Sequence, residues 1–79
     1  MTVEIKIPFL GDGITRVTVC SWQRKVGDLV AAGDDLAEIE ADKALFHLPS
    51  DEEGRLTAIL VPEGREAAVG QPVAILERP

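Results

Sequence analysis

The chain has 79 residues, enough for one domain with a thin core, since a folded protein this small buries only about 60% of the surface its unfolded chain exposes. Fourteen acidic against eight basic residues give a formal net charge of −6, which argues against nucleic acid or anionic membrane as partners, because both reward clustered Lys and Arg. Proteins with basic docking surfaces fit that charge better.

No apolar run approaches the ~20 residues of a membrane helix, and the start, Met-Thr-Val-Glu-Ile-Lys-Ile, lacks the charged-then-apolar layout of a signal peptide. A soluble intracellular protein is therefore expected. A single cysteine, Cys20, rules out an internal disulfide or a cysteine-based metal site. Nothing places it beside His47 as a catalytic pair, and inside Val17-Thr18-Val19-Cys20-Ser21-Trp22 it reads as strand packing.

In chain order, Val3 to Pro8 alternates apolar and charged residues, the period of a strand with one face on the core, and Pro8 ends it. Phe9 to Gly13 reads as a loop. Its Gly-x-Gly is not a dinucleotide fingerprint, because the third glycine is missing and a β-branched stretch follows. Ile14 to Val26 reads as a bent pair of strands or one long strand, and Lys25 to Asp28 as a turn. Leu29-Val30 is a short strand and Ala32 to Asp35 another turn. From Leu36 to Pro49 two alternating runs flank Glu40-Ala41-Asp42-Lys43, the signature of a hairpin with Lys43 at its tip. Asp42 is expected to sharpen the bend by accepting a nearby backbone N–H.

The second half echoes the first. Ile5 to Pro8 matches Phe46 to Pro49 at an offset of 41 (46 − 5), and Gly13 matches Gly54. Farther on the offset becomes 37: Gly27 with Gly64, Gly33 with Gly70, Ala37 with Ala74, Glu40 with Glu77. The change is placed between Gly13 and Gly27 or their counterparts, with the first half read as the shorter. Such repetition implies two like units packed face to face about an approximate twofold, each contributing about four strands. The fold expected is all-β, a flattened barrel or sandwich of two four-stranded antiparallel sheets. Pro62 to Ala68 tempts a helix reading, but Gly64, Gly70 and the match to a turn decide against it. The twofold also puts Lys43 at the pole opposite both termini.

An exposed lysine is commonplace by itself. Its company is not: Glu40-Ala41-Asp42-Lys43-Ala44 resembles the lipoyl-lysine motif of lipoyl domains, the swinging-arm modules of 2-oxoacid dehydrogenase complexes. Leu10-Gly11-Asp12-Gly13-Ile14 resembles that family's first loop, Trp22 to Asp28 its second strand and turn, and Pro49-Ser50 with Gly54 the segment after the hairpin. Glu63-Gly64 and Val69-Gly70 complete a resemblance that covers almost the whole chain.

The resemblance implies an amide between Lys43 and lipoic acid, whose dithiolane ring is opened by reductive acylation, carries the acyl group as a thioester and is reoxidised afterwards. It implies that Asp42 and Ala44 shape the turn, and that Leu10, Gly11, Asp12, Gly13, Ile14 and Glu40 serve partner recognition. The partners implied are a thiamine-diphosphate-dependent 2-oxoacid dehydrogenase, an acyltransferase core, dihydrolipoamide dehydrogenase and a lipoyl ligase or transferase. The carrier itself, residues 1–79 with a linker beginning at Glu77 to Pro79, is expected to be a monomer without catalysis of its own. Cytoplasm, or the mitochondrial matrix of a eukaryote, is the expected location. Biotin carriers share the fold and the hairpin but resemble one another in flanking the lysine with methionine, where this chain has Asp42 and Ala44. An unmodified β-sandwich adaptor with an acidic docking face is the alternative from another class.

The chain departs from the family pattern at Arg16-Val17, Ala41, His47 and Asp51-Glu52-Glu53, none of which touches Asp42-Lys43-Ala44. Those departures bear on partner choice rather than on modification. His47 reads as a solvent-facing strand residue, the acidic triplet as a solvated loop, and Trp22 as core filler at one end of the sandwich.

Overall fold

A computed structural model describes all residues, Met1 to Pro79, as eight strands without helix. They are β1 (Thr2–Lys6), β2 (Arg16–Trp22), β3 (Leu29–Val30), β4 (Asp35–Ala41), β5 (Ala44–Pro49), β6 (Gly54–Ile59), β7 (Glu66–Ala68) and β8 (Pro72–Glu77). One antiparallel sheet has the order β1-β8-β6-β3 and the other β5-β4-β2-β7. The helix-tempting stretch before Ala68 is a turn leading into β7. No helix is long and apolar enough to cross a membrane.

Alternation in the strands becomes burial. Val17 and Val19 of β2, Leu36, Ala37 and Ile39 of β4, Leu56 of β6, and Val73, Ala74 and Leu76 of β8 meet between the sheets with almost no exposed surface. Their polar neighbours face water, as period-2 strands require when one face of each sheet is buried.

The twofold is present in the strand order itself: exchanging β1 with β5, β2 with β6, β3 with β7 and β4 with β8 converts one sheet into the other. The halves are not stacked face to face, however. Each sheet takes two strands from each half, so the units interleave, and neither could form its sheet without the other. Even irregularities repeat, since the β2–β4 register shifts at Cys20 and the β6–β8 register at Thr57, the same position 37 residues on.

Two details of the repeat differ from the sequence reading. Gly70 N–H donates to the Ile7 carbonyl and Ile7 N–H to Gln71, while Gly33 N–H donates to Ser50 and Ser50 N–H to Asp34. Ile7 therefore corresponds to Ser50, an offset of 43 (50 − 7), two residues from the expected match. A slip of two leaves every strand side chain on its own face, so alternation alone could not reveal it. Gly54 corresponds to Val17, not Gly13, because Val30 pairs with Gly54 as Ala67 pairs with Val17. The first half is consequently the longer one: Pro8 to Arg16 stands where the second half has only Asp51 to Glu53.

Gly54 holds glycine where its mate holds valine for a visible reason. A Cβ there would lie 2.7 Å from the Glu77 carbonyl oxygen and 3.2 Å from its carbon, which are backbone atoms of the neighbouring strand. Gly54→Ala is expected to cost about 1–3 kcal/mol by overpacking, read from the urea midpoint at unchanged slope.

At the chain ends, Arg78 N–H donates to the Met1 carbonyl and the Met1 amine lies 3.0 Å from Glu77 Oε1, with Thr2 Oγ1 donating to Oε2 at 2.9 Å. The amine's hydrogen bond, then that of Thr2, then the amine's charge hold the Glu77 carboxyl below its ordinary value of 4.5. A carboxyl with a lowered folded-state pKa stabilises the fold above its unfolded value and loses that contribution as pH falls through the folded one. Glu77→Gln should therefore flatten part of the fall in urea midpoint below pH 4.5; an unchanged acid limb would contradict this.

Candidate functional site

β4 and β5 pair down to Ala41 opposite Ala44, leaving Asp42 and Lys43 as a two-residue connection. Both have positive φ, 48° and 67°, as the type I′ turn that matches strand twist demands. They are the non-glycine residues of the chain in that region; all other positive φ values belong to glycines. Asp tolerates the left-handed conformation, whereas for a long side chain it costs about 1–2 kcal/mol. Lys43 is thus held in a backbone conformation that favours glycine.

The turn is sharpened by this backbone geometry, not by the side-chain bond expected of Asp42, which makes none. That device appears at other turns: Asp28 accepts the Lys25 N–H and Asp34 the Ala31 N–H, each at 2.9 Å. Asp42, Lys43 and Ala44 are exposed, while Ala41 beneath them is buried and roots the hairpin in the core. No ion pair of the structure involves Lys43.

The surroundings come from three other segments. Thr18 pairs with Glu40 on one side and with Glu66 on the other, so β2 begins beside the tip. Arg16, Thr18, Glu40, Asp42 and Glu66 line a hollow of about 190 Å3 there, with Arg16 Nε 3.1 Å from Glu66 Oε1. The Pro8–Thr15 segment joins the end of β1 to this start of β2, and the Val69–Gln71 turn lies against it through Val69 N–H to Thr15 and Gly70 N–H to Ile7. Met1 and Arg78 pair at the other end of the β1–β8 ladder. Lys43 and the chain ends thus occupy opposite poles of a molecule 36 Å long.

The residues expected at the tip divide by orientation. Glu40, Asp12 and Gly13 are exposed, whereas Leu10 and Ile14 are half-buried and pack on the core, with Ile14 N–H closing the loop onto Gly11. Leu10 and Ile14 both keep part of their surface in water. Two features escaped the sequence reading: the Arg16–Glu66 ion pair, which joins strands far apart in the chain, and Phe9, whose ring is 72% exposed. The first had no local signal; the second was visible as an aromatic next to Pro8 in a loop.

The remaining singled-out residues lie elsewhere. Cys20 is exposed at the β2 bulge and its thiol donates to the Thr18 carbonyl. His47 is exposed on β5, its Nδ1 3.5 Å from Asp35 Oδ2. Trp22 is half-buried against the core and donates its indole N–H to the Val61 carbonyl at 2.9 Å. Glu52 of the acidic triplet pairs with Arg78 at the chain-end pole.

Comparison with known proteins gives this geometry a family. Residues 3–76 match the biotin/lipoyl family model described as "Biotin-requiring enzyme". The chain is 47% identical over 77 residues to the dihydrolipoyllysine-residue acetyltransferase component of the pyruvate dehydrogenase complex of Zymomonas mobilis, covering 96% of this chain and 18% of that protein. It is 38% identical over 77 residues to the succinyltransferase component of the 2-oxoglutarate dehydrogenase complex of Bartonella vinsonii, covering 98% of this chain and 19% of that one. The chain thus spans about a fifth of the length of the curated relatives it matches. The solution structure of the lipoyl domain of the 2-oxoglutarate dehydrogenase complex from Azotobacter vinelandii superposes with a TM-score of 0.77 at 26% identity, covering 96% of each chain. A family match over nearly all the chain, joined to a solved lipoyl domain of the same eight-stranded build, means that this protein belongs to the biotin/lipoyl attachment family and has the fold of its lipoyl domains.

Proposed function

We propose that the domain is a lipoyl carrier, with lipoic acid joined as an amide to Lys43 Nζ, and that it shuttles acyl groups and reducing equivalents among the active sites of a 2-oxoacid dehydrogenase complex. The observation that carries the reading is Lys43 itself, held in a left-handed backbone conformation on a rigid tip, exposed and outside every ion pair. An amine so placed suits covalent attachment and suits nothing that needs a buried base. The lipoyl group, once attached, supplies a strained dithiolane able to take up acyl groups and electrons.

The chain's own part is positional. Asp42 and Lys43 set the turn, Ala41 anchors it, and the ladder from Glu40–Leu45 down to Ala37–Leu48 keeps the tip from bending. The tip points away from both termini, so a tether at either end leaves the amine clear of it. A carrier tethered through a flexible linker reaches each active site at roughly millimolar effective concentration without releasing its cargo. The partners of this reading are the thiamine-diphosphate-dependent dehydrogenase, the acyltransferase core, dihydrolipoamide dehydrogenase and the lipoyl ligase, in the cytoplasm or the mitochondrial matrix.

Intact mass of protein made with both lipoate and biotin available tests the reading. One lipoyl adduct per chain is expected. A biotinyl adduct overturns the cofactor and leaves the fold standing, and no adduct even after treatment with a lipoyl ligase favours an unmodified adaptor.

A further inference from the structure

The approximate twofold relates two hollows. At the lysine pole Arg16, Thr18, Glu40 and Glu66 line one of about 190 Å3, and the residues 37 positions away, Glu53, Arg55, Glu77 and Leu29, line one of about 470 Å3 at the chain-end pole. The backbone frame is shared and the chemistry is not. On the turn that leads into β7 stand Glu63 and Glu66, whereas the matching turn into β3 has Val26 and Leu29. Both carboxylates are engaged within the chain, Glu63 by the Trp22 N–H and Glu66 by Arg16. The two aliphatic side chains are left in water, Val26 56% and Leu29 71% exposed. The fold does not demand apolar residues there, since the mate positions carry charge in the same frame.

Most polar groups around the larger hollow already have partners. Glu77 holds the Met1 amine and Thr2, Arg78 pairs with Glu52, and Thr57 Oγ1 donates to the Ile75 carbonyl. Two charged side chains of its lining stay outside every ion pair, Glu53 and Arg55, one on either side of Gly54. Arg55 is braced by its bond to the Gly27 carbonyl at 2.7 Å, and Leu29 stands beside it in the β3–β6 ladder. An aliphatic projection, a hollow and one free charge of each sign are therefore fixed next to one another.

We propose that this face binds a second copy of the chain about a twofold axis near Gly54, with Leu29 of each copy entering the other's hollow and Glu53 of each pairing with Arg55 of the other. In such a contact the same patch serves both partners, so it must be complementary to itself. A carboxylate and a guanidinium flanking one residue meet that condition: turned about an axis at that residue, each faces its opposite. A partner of a single charge sign would leave one of the two facing its like. Nine residues line the hollow, against the roughly 20–30 a side of a stable interface, so the association is weak, with Kd on the order of 0.1–1 mM. Domains tethered within one assembly meet at roughly millimolar effective concentration, where such a contact is populated. Because the chain-end poles meet, the two Lys43 amines lie at opposite ends of the pair. The inference does not depend on what Lys43 carries.

Sedimentation equilibrium of the unmodified chain, from about 10 μM to about 2 mM, tests this at physiological salt, where repulsion between two chains of net charge −6 is screened beyond about 8 Å. Monomer at the low end and dimer at the high end are expected. Glu53→Arg and Arg55→Glu should each weaken self-association about tenfold. An equimolar mixture of those two variants should associate at least as tightly as wild type, because each copy then meets two opposite charges. Leu29→Lys is expected to weaken association by a similar factor, and Leu45→Lys, at the other pole, to leave it unchanged. The urea midpoint of each variant and the recovery in the mixture separate a lost contact from a lost fold. A wild-type chain that stays monomeric throughout overturns the inference. So does association that survives Leu29→Lys, an equal loss with Leu45→Lys, or a mixture no tighter than the single variants. None of these outcomes touches the carrier reading, which the lipoyl adduct tests separately.

Discussion

Lys43→Gly is expected to abolish modification completely while leaving the domain at least as stable as wild type. Attachment is all or none, because an amide needs the amine, so intact mass after ligase treatment should show no adduct. Stability moves the other way. Relief of a left-handed lysine is worth about 1–2 kcal/mol, and the added chain entropy of glycine takes back about 0.5–1 kcal/mol. The net gain is about 0–1.5 kcal/mol, read as an equal or higher urea midpoint. Lys43→Arg should also carry no adduct but keep both the charge and the strain. A domain destabilised by Lys43→Gly would mean that the lysine is there for the fold rather than for its nitrogen.

Leu56→Ala is the substitution expected to cost most stability. Leu56 has no exposed surface and faces Leu76 across the β6–β8 ladder, in the layer its mate Val19 fills from the other sheet. Truncating a buried leucine costs about 2–5 kcal/mol in transfer and cavity terms. A domain of this length has a total of roughly 4–12 kcal/mol at typical values per residue. The variant should therefore lose a large share of its stability, and a midpoint shift worth less than about 1 kcal/mol would contradict the placement of this side chain. Leu45→Ala, on the outside of β5, is the control and should stay within about 0.5 kcal/mol.

Strand positions were legible in the sequence because a sheet with one buried face imposes strict alternation, as in Val3 to Pro8 and Val17 to Val19. The approximate twofold was legible through its turns, where Gly33 and Gly70 need the same backbone conformation at equivalent places. Pairing order was not legible. Alternation records which face a side chain takes but not which strand lies beside it, so the interleaving of the halves and the two-residue slip between β1 and β5 left no mark. Comparing Gly13 with Gly54 misled for another reason: Gly13 serves a positive-φ turn and Gly54 a close approach to Glu77, two unrelated demands for the same residue.

At the lysine pole, the tip was legible from Glu40 to Ala44, as a motif and as a hairpin. What Asp42 does there was misread, since its contribution is tolerance of positive φ. The division of the Pro8–Thr15 loop into inward Leu10 and Ile14 and outward Phe9 could not be read, because a loop has no period to sort its side chains.

Arg78 and Met1 pair as Ala41 and Ala44 do, so the termini are the open counterpart of the lysine hairpin. The scaffold thus has two equivalent poles, one closed by the Asp42–Lys43 turn and the other left open at Met1 and Arg78. That separation is what a tethered carrier needs, and the fold supplies it without any special segment.

The chain has three lysines, Lys6, Lys25 and Lys43, all exposed. Peptide fragmentation mass spectrometry of the ligase-treated protein asks which of them carries lipoate. A single adduct on the peptide containing Lys43, with Lys6 and Lys25 free, is the result expected of an amine raised on the pole away from the termini; an adduct on Lys6 or Lys25, or none on Lys43, would contradict it.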